Sequence, residues 1–491
     1  MDLMAIVNAA NGIIWSNALV YLCLGAGVYF SVLMRFPQVR HFKRMIKLLI
    51  GNEASDTGVS SFQSFAMALG GRVGTGNIAG VATAIAMGGP GAVFWMWAIA
   101  FLGAGSAFIE AALAQVWKEE LNGEYRGGPA YYFEKGLNAK WYGMTFAVAV
   151  ILSCGLFLPG VQSNSIASAL NTAFGIAPSV TGGLLVVTLA LIIFGGVKRI
   201  GKAAELIVPF MAIAYIIIAL IIIVVNIGQL PGVIALIFRS AFGMDAAFGS
   251  ILGTAIMWGV KRGVYSNEAG QGTGPMAAAA SAVDHPAEQG LVQAFSVYVD
   301  TLFVCSATAF MILITGMYNT VRPDGSFIVE NIPGVQYGPA YTQMAMDTLI
   351  PGFGSAFVAL ALFFFVFTTL MAYYYYAESA TAYLFRGSKI DKKYVFHGAM
   401  IVFLFMTFFG AVRTADLAWG LGDAAVGVMA WLNIIGIILL TKPGLAVLKD
   451  YEDQLKAGVK IPTFEPKKLG IKNADLWETI TKRRAERRKA Q

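Results

Sequence analysis

The chain has 491 residues, of which 57% are hydrophobic and 13% charged, with a mean hydropathy of +0.67. No soluble domain of this size buries so much apolar surface, so the composition excludes a water-soluble enzyme and points to a polytopic membrane protein in a lipid bilayer. The net charge of +7 sits in the polar connections and the tail, and calls for no nucleic-acid partner.

Met1 to Ala10 has no basic n-region and no small-residue cleavage pattern, so the first apolar segment is expected to be a retained span. Eleven apolar segments follow, at roughly 12–34, 62–87, 90–117, 142–172, 179–196, 205–228, 246–277, 289–317, 353–384, 395–412 and 418–441. The expected fold class is an all-α polytopic membrane protein with eleven transmembrane helices. With the N-terminus outside, 29 of the 35 Lys and Arg fall on the inner side and 3 on the outer. That asymmetry predicts a multi-pass protein of the plasma membrane with a cytoplasmic C-terminus. The segment 318–351 reads as a loop with a short helix at Pro339 to Leu349. After Lys442 the chain turns polar and ends in the basic run Lys482 to Lys489. That run is expected either to meet anionic lipid or to be a solvated tail.

The second segment is interrupted by Gly70-Gly71-Arg72-Val73-Gly74-Thr75-Gly76-Asn77. Each glycine weakens a helix by about 1 kcal/mol against alanine. Loosened backbone inside a bilayer is tolerated only where it is buried in protein or lines a cavity. Close helix packing is the other use of such glycines. Arg72, Thr75 and Asn77 among them favour a broken helix near 70–77. Such a break exposes N–H groups that suit an anion, expected at Thr75, Gly76 and Asn77. The freed carbonyls near Gly70 and Val73 suit a small cation. The hydroxyl pair Thr368-Thr369 in the ninth segment would complete a sodium site.

The seventh segment repeats the oddity, with Lys261, Arg262 and Glu268 among small residues. Charges there are costly unless paired or hydrated, and Glu268 with Arg262, Lys261 or Arg72 are the expected pairs. The first broken span opens segments two to six and the second opens seven to eleven. Five is odd, so the two halves enter the membrane from opposite sides. Two equivalent interrupted helices in two inverted five-span halves point to a secondary transporter with a midplane site. The expected organisation is an accessory first helix in 1–50, a first repeat in 51–230, a second in 231–442 with its break near 258–263, and a tail in 443–491.

Other polar residues lie inside the spans. Gln162, Ser163 and Asn164 face either the substrate or a neighbouring helix. Asp300 and Glu378 are candidate coupling-ion ligands, and Glu110 is a packing or gating residue. The run Tyr373 to Tyr376 is expected at the membrane interface. Cys23, Cys154 and Cys305 give neither a disulfide framework nor metal spacing. None of the three histidines is mid-span, which leaves carboxylates for any proton route. No Ser/His/Asp, zinc or P-loop constellation emerges, so no enzyme is expected. A channel would need a continuous polar pore, which two breaks flanked by Trp and Phe do not suggest.

Gly88-Gly89-Pro90-Gly91-Ala92-Val93-Phe94-Trp95-Met96-Trp97 resembles a signature of the alanine/glycine:cation symporter family. Lys261-Arg262-Gly263-Val264-Tyr265-Ser266-Asn267-Glu268-Ala269-Gly270 resembles its second block. The family commonly has Leu-Phe at Val264-Tyr265 and Met at Gln271. The resemblance implies LeuT-type architecture, a 5+5 inverted repeat with one extra N-terminal helix. Gly74-Thr75-Gly76-Asn77 matches the Gly-x-Gly-Asn of that fold's first break. It would place the substrate carboxylate on Thr75 and Gly76, with one sodium on Gly70, Val73, Thr368 and Thr369. Arg72 argues against a second ion at Asn77. Trp258 and Gly259 would wall a pocket for a small neutral amino acid such as alanine or glycine. The implied activity is sodium-coupled symport by alternating access. The alternative is proton coupling on the same fold, with Glu268, Asp300 or Glu378 as carrier.

Overall fold

The computed structural model describes residues 3–50, 55, 57–348 and 351–490. Helices α1 (Leu3–Ile14) and α2 (Asn17–Leu33) meet at a 42° bend. The second apolar segment divides into α3 (Ser61–Arg72) and α4 (Gly76–Gly88). The start of α3 is fixed by reciprocal capping, in which Ser60 Oγ accepts from Gln63 N–H and Gln63 Oε1 from Ser60 N–H. There follow α5 (Gly91–Val116), α6 (Lys140–Phe174), α7 (Pro178–Ile193), α8 (Gly196–Val225) and α9 (Ile227–Ala241). The seventh segment divides into α10 (Leu252–Asn267) and α11 (Gly274–Ala279). The long helices after it are α12 (Pro286–Thr315), α13 (Phe353–Phe385), α14 (Lys392–Ala411), α15 (Ala415–Leu439), α16 (Thr441–Lys456) and α17 (Leu476–Ala490).

Among the described residues, seven helices are long and apolar enough to cross a membrane, or eight if the bent α1–α2 pair is one span. The other three expected segments are the two broken ones and α7, which has 16 residues. Large side chains on α7, α8 and α14 point outward, including Leu191 at 63%, Phe210 at 66% and Ile401 at 66% exposure. Such a belt is stable only against lipid. Helices α3, α4, α10, α12 and the middle of α13 form the interior, where Gly70, Thr75, Asn77, Ser266, Asp300 and Thr369 are all buried.

The chain is mostly helical, as expected of the all-α class, with short hairpins in two connections: β1 (Glu119–Leu121) pairs antiparallel with β2 (Glu124–Arg126), and β3 (Asn319–Val321) with β4 (Phe327–Glu330). These connections between spans keep their backbone bonds by pairing with themselves. Two expectations are corrected. The second break is not at 258–263, where α10 is continuous; it lies at 268–273. Gly259 and Gly263 serve packing instead, since added Cβ atoms there would strike Ala92, Trp95 and Ile99 of α5. Glu268 (φ 55°), Gly270 (φ 80°) and Gly272 (φ 88°) hold the left-handed backbone that ends the helix. Tyr373 to Tyr376 are not interfacial but fully interior, at 0–4% exposure, because α13 runs through the middle of the bundle.

The expected short helix after the outer loop spans Pro339–Asp347, and Leu349 lies outside the described residues. The tail folds back on the body. Trp477 Nε1 donates to Gln115 O at 2.9 Å, and Trp117 Nε1 donates to Lys472 O at 2.9 Å. His285 Nδ1 accepts from Ala287 N–H to cap α12, and its Nε2 meets Asp450 at 3.0 Å. Burial holds the His285 imidazole below its ordinary pKa, and Asp450 opposes that. The side chains of 484–490, most of the basic run, lie outside the described residues.

Candidate functional site

At the first break Val73 leaves helical geometry (φ −77°, ψ 88°) and α4 begins with a wide i→i+5 turn over Gly76–Gly80. Such turns are frequent at functional sites. The Gly74 N–H donates to Asn77 Oδ1 at 2.9 Å instead of continuing the helix. Both Gly70 O and Val73 O therefore face across to α13. Thr369 Oγ1 lies 2.8 Å from Gly70 O, 3.3 Å from Val73 O and 2.9 Å from Phe365 O. One hydroxyl has one proton, so it satisfies one of these carbonyls at a time. The result is a cluster of hard, uncharged oxygens of the kind that suits a small cation. Thr368 is adjacent, but its Oγ1 back-bonds to Phe364 O and Phe365 O.

The Thr75 N–H donates to Gln162 Oε1 at 3.1 Å, while Thr75 Oγ1 is buried with no partner. Glycine is required at 74, where a Cβ would collide with Thr369 Oγ1 and come within 3.0 Å of Gln162 Oε1. At Gly76 a Cβ would press on Ser266 Cα at 3.2 Å and Tyr265 Cδ1 at 3.3 Å. The first break thus touches α6, α10 and α13. Asn77 Nδ2 donates to Asp300 Oδ1 at 2.6 Å, and Asp300 also accepts from Ser266 at 3.0 Å and Thr301 at 2.7 Å. Asp300, itself on a wide turn in α12, ties the two broken spans together.

Arg72 crosses from the end of α3 to the second break. Its Nε donates to Asn267 O at 2.7 Å and its Nη1 to Gln293 Oε1 at 2.9 Å, with Ser296 Oγ also touching Nη1. A cation at the carbonyl end of α10 is favoured by the helix dipole. Glu110 Oε1 accepts the Gly270 N–H at 3.2 Å, and Asn433 Nδ2 donates to Glu110 Oε2 and to Gly270 O. The backbone of the second break is braced by α5 and α15.

The structure brings Gly70, Val73, Gly74, Thr75, Gly76, Asn77, Gln162, Thr368 and Thr369 together. It does not bring Asn164, Trp258 or Gly259 there. Asn164 Nδ2 donates to Arg413 O at 2.6 Å, beyond the end of α14. Trp258 and Gly259 lie several residues before the break; Trp258 stacks on Lys261 at 4.8 Å and Arg262 at 5.1 Å. Those two cations pair with Asp423, not with Glu268. Arg262 Nη1 and Nη2 donate to Oδ1 and Oδ2, both at 2.8 Å, and Lys261 Nζ meets Oδ2 at 2.7 Å. Glu378 pairs with Arg126. Asp423 was legible as the one acid in the interior of the last apolar segment, where two unpaired cations elsewhere demanded an anion. Gln293 and Ser296 carried no such signal.

A family profile described as the sodium:alanine symporter family matches residues 1–466. The carrier protein YrbD of Bacillus subtilis (strain 168) is 61% identical over 98% of this chain and 99% of its own. A sodium/proton-dependent alanine carrier protein of Bacillus sp. (strain PS3) is 52% identical over 90% of this chain and 99% of its own. The sodium/alanine symporter AgcS of Methanococcus maripaludis is 38% identical over 94% of this chain and all of its own. Family-wide coverage, together with the two broken spans, makes this chain a membrane transporter and a member of the sodium:alanine symporter family.

Proposed function

We propose that this protein is a sodium-coupled symporter of alanine, with glycine as a second small neutral substrate. The observation that carries the reading is the convergence of Gly70 O, Val73 O and Thr369 Oγ1 beside the Thr75 N–H, which no backbone carbonyl claims and which donates to Gln162 Oε1. Sodium is cargo here. It takes the two carbonyls and the hydroxyl of Thr369, with Thr368 turning in from the same helix. The substrate carboxylate takes the Thr75 N–H in place of the Gln162 amide oxygen, and the Thr75 hydroxyl adds a second donor. Asn77 does not bind the ion but holds the break open through Gly74 and Asp300.

Coupling follows from geometry. The ion pins α3 to α13, and the substrate, seated between the Thr75 N–H and the displaced Gln162 side chain, bridges the start of α4 to α6. Both ligands must be seated before these helices move as a unit, which is the requirement for alternating access. We infer eleven crossings in a LeuT-type 5+5 inverted repeat with an accessory first helix, the N-terminus outside and the C-terminus in the cytoplasm. The positive-inside asymmetry and the placement of the breaks support this arrangement.

The test is uptake of radiolabelled alanine into proteoliposomes. Uptake driven by an inward sodium gradient and competed by glycine is the expected result. Uptake indifferent to sodium at every pH would overturn the reading.

A further inference from the structure

Three carboxylates in the interior of the bundle differ in how they are held. Asp300 accepts from Asn77, Ser266 and Thr301. Glu378 is paired with Arg126. Glu268 is 0% exposed, and neither of its oxygens has a hydrogen-bond partner. The Thr273 hydroxyl lies beside it but completes no hydrogen bond and is itself unpartnered. Glu268 also stands in the left-handed region at φ 55°, where glycine or asparagine is the usual residue at a helix end. Backbone strain of this kind persists where the surroundings impose it, and it concentrates at functional sites.

A bare carboxylate away from water, with no donor, is not a stable arrangement. A proton completes it with no rearrangement. The groups around it offer one other solution. Arg72 Nη2 is buried and unpartnered, and the Arg72 guanidinium acts electrostatically on Glu268 without an ion pair forming among the described residues. Among the described residues, the other titratable groups in electrostatic contact with Glu268 are Glu110 on α5, Cys154 on α6, Tyr265 on α10, Asp300 on α12, and Tyr373 and Tyr376 on α13. Arg72 is the one cation among them.

We propose that Glu268 is a proton site of this transporter, additional to the sodium site and resting on the transport function proposed above. In the conformation described, Glu268 holds the proton. When the proton leaves to water, the carboxylate pairs with the free Nη2 of Arg72. Arg72 terminates the half-helix whose carbonyls bind sodium, and Glu268 terminates α10. Loss of one proton therefore adds an ion pair to the link that Arg72 already makes between the two breaks, tying pH to the transport cycle.

The test uses the full-length protein in proteoliposomes, with sodium-driven alanine uptake measured from pH 5.5 to 8.5. For wild type, the apparent alanine affinity should change along one limb by up to about tenfold per pH unit, the limit for one proton. Glu268→Gln should keep sodium-driven uptake and lose that slope, while Glu378→Gln keeps it. A wild-type slope in Glu268→Gln overturns the proposal. Should that variant fail to fold, purified wild type in weakly buffered detergent is mixed with sodium and alanine beside a pH indicator. Exchange of about one proton per alanine bound supports the proposal, and no exchange overturns it. Wild-type uptake that is sodium-driven but flat with pH removes the proton site alone. Absence of sodium-driven uptake removes the function on which it rests.

Discussion

At the first interruption, distant side chains meet the freed backbone directly. Thr369 meets Gly70 O and Val73 O, Gln162 meets the Thr75 N–H, and Asn77 meets the Gly74 N–H. At the second, Glu110 and Asn433 hold the backbone of Gly270, but the side chains of Glu268, Gln271 and Thr273 are left without partners. Both breaks are buried, so the difference is not one of solvent. The first has its freed backbone oxygens and N–H groups met by side chains of α4, α6 and α13. The second has spare polar capacity and is joined to the first by Arg72, which donates to Asn267 O. Buried networks are costly when partly satisfied, and the unsatisfied part marks where ligands, protons or motion belong.

The comparison can be broken most severely at Gly74. Gly74→Val would drive a side chain into Thr369 and Gln162 and displace both ligand positions at once. Sodium-driven alanine uptake should fall by at least about 100-fold, as for reacting groups misplaced by an ångström. Retained uptake would mean that the first break is not the site. Next in size is the ion pair above the breaks. Asp423→Asn leaves Lys261 and Arg262 buried without an anion and should cost about 3–5 kcal/mol. A lowered thermal unfolding midpoint in detergent checks this. An unchanged midpoint would show that the pair is not holding α10 to α15.

Thr369→Ala separates ion binding from folding. It removes one ligand to a charged species, worth about 1.5–3 kcal/mol, so sodium affinity should fall by roughly ten- to hundredfold. Its structural cost is one neutral hydrogen bond, about 1 kcal/mol. Sodium titration of alanine uptake reads the first and thermal unfolding the second; unchanged sodium affinity would move the ion elsewhere. The smallest effect is expected at Asn164, which was grouped with Gln162 by sequence but joins α6 to the end of α14. Asn164→Ala should cost about 0.6 kcal/mol of stability, as interhelical bonds in membranes do, with the alanine KM unchanged. A raised KM would return Asn164 to the substrate site.

Much of the first site was legible in the chain. Glycines clustered within an apolar run are a local signal, because a helix weakened at its midpoint shows in the residues that weaken it. The hydroxyl pair of Thr368-Thr369 was legible for the same reason, being a polar mark in an apolar stretch. The second break was read about ten residues too early because Lys261 and Arg262 drew attention to themselves. Both pair with Asp423, 161 positions away from Arg262, so the helix has no reason to end there. Glu268 was legible as an intramembrane charge. That it lacks a partner was not, since absence of a partner depends on every helix packed around it.

Composition and periodicity by themselves determined that this chain lives in a membrane, which segments are apolar, and where the first helix is broken. Each of these follows from residues adjacent in the chain. Only the tertiary structure decided which side chains serve each break, that Asn164 and Trp258 stand apart from the site, and that Tyr373 to Tyr376 are interior. The physical reason is that a helix conceals which of its faces is turned inward until its neighbours are placed. Inside a bilayer, apolar residues on both faces look alike in sequence, and only packing distinguishes protein from lipid.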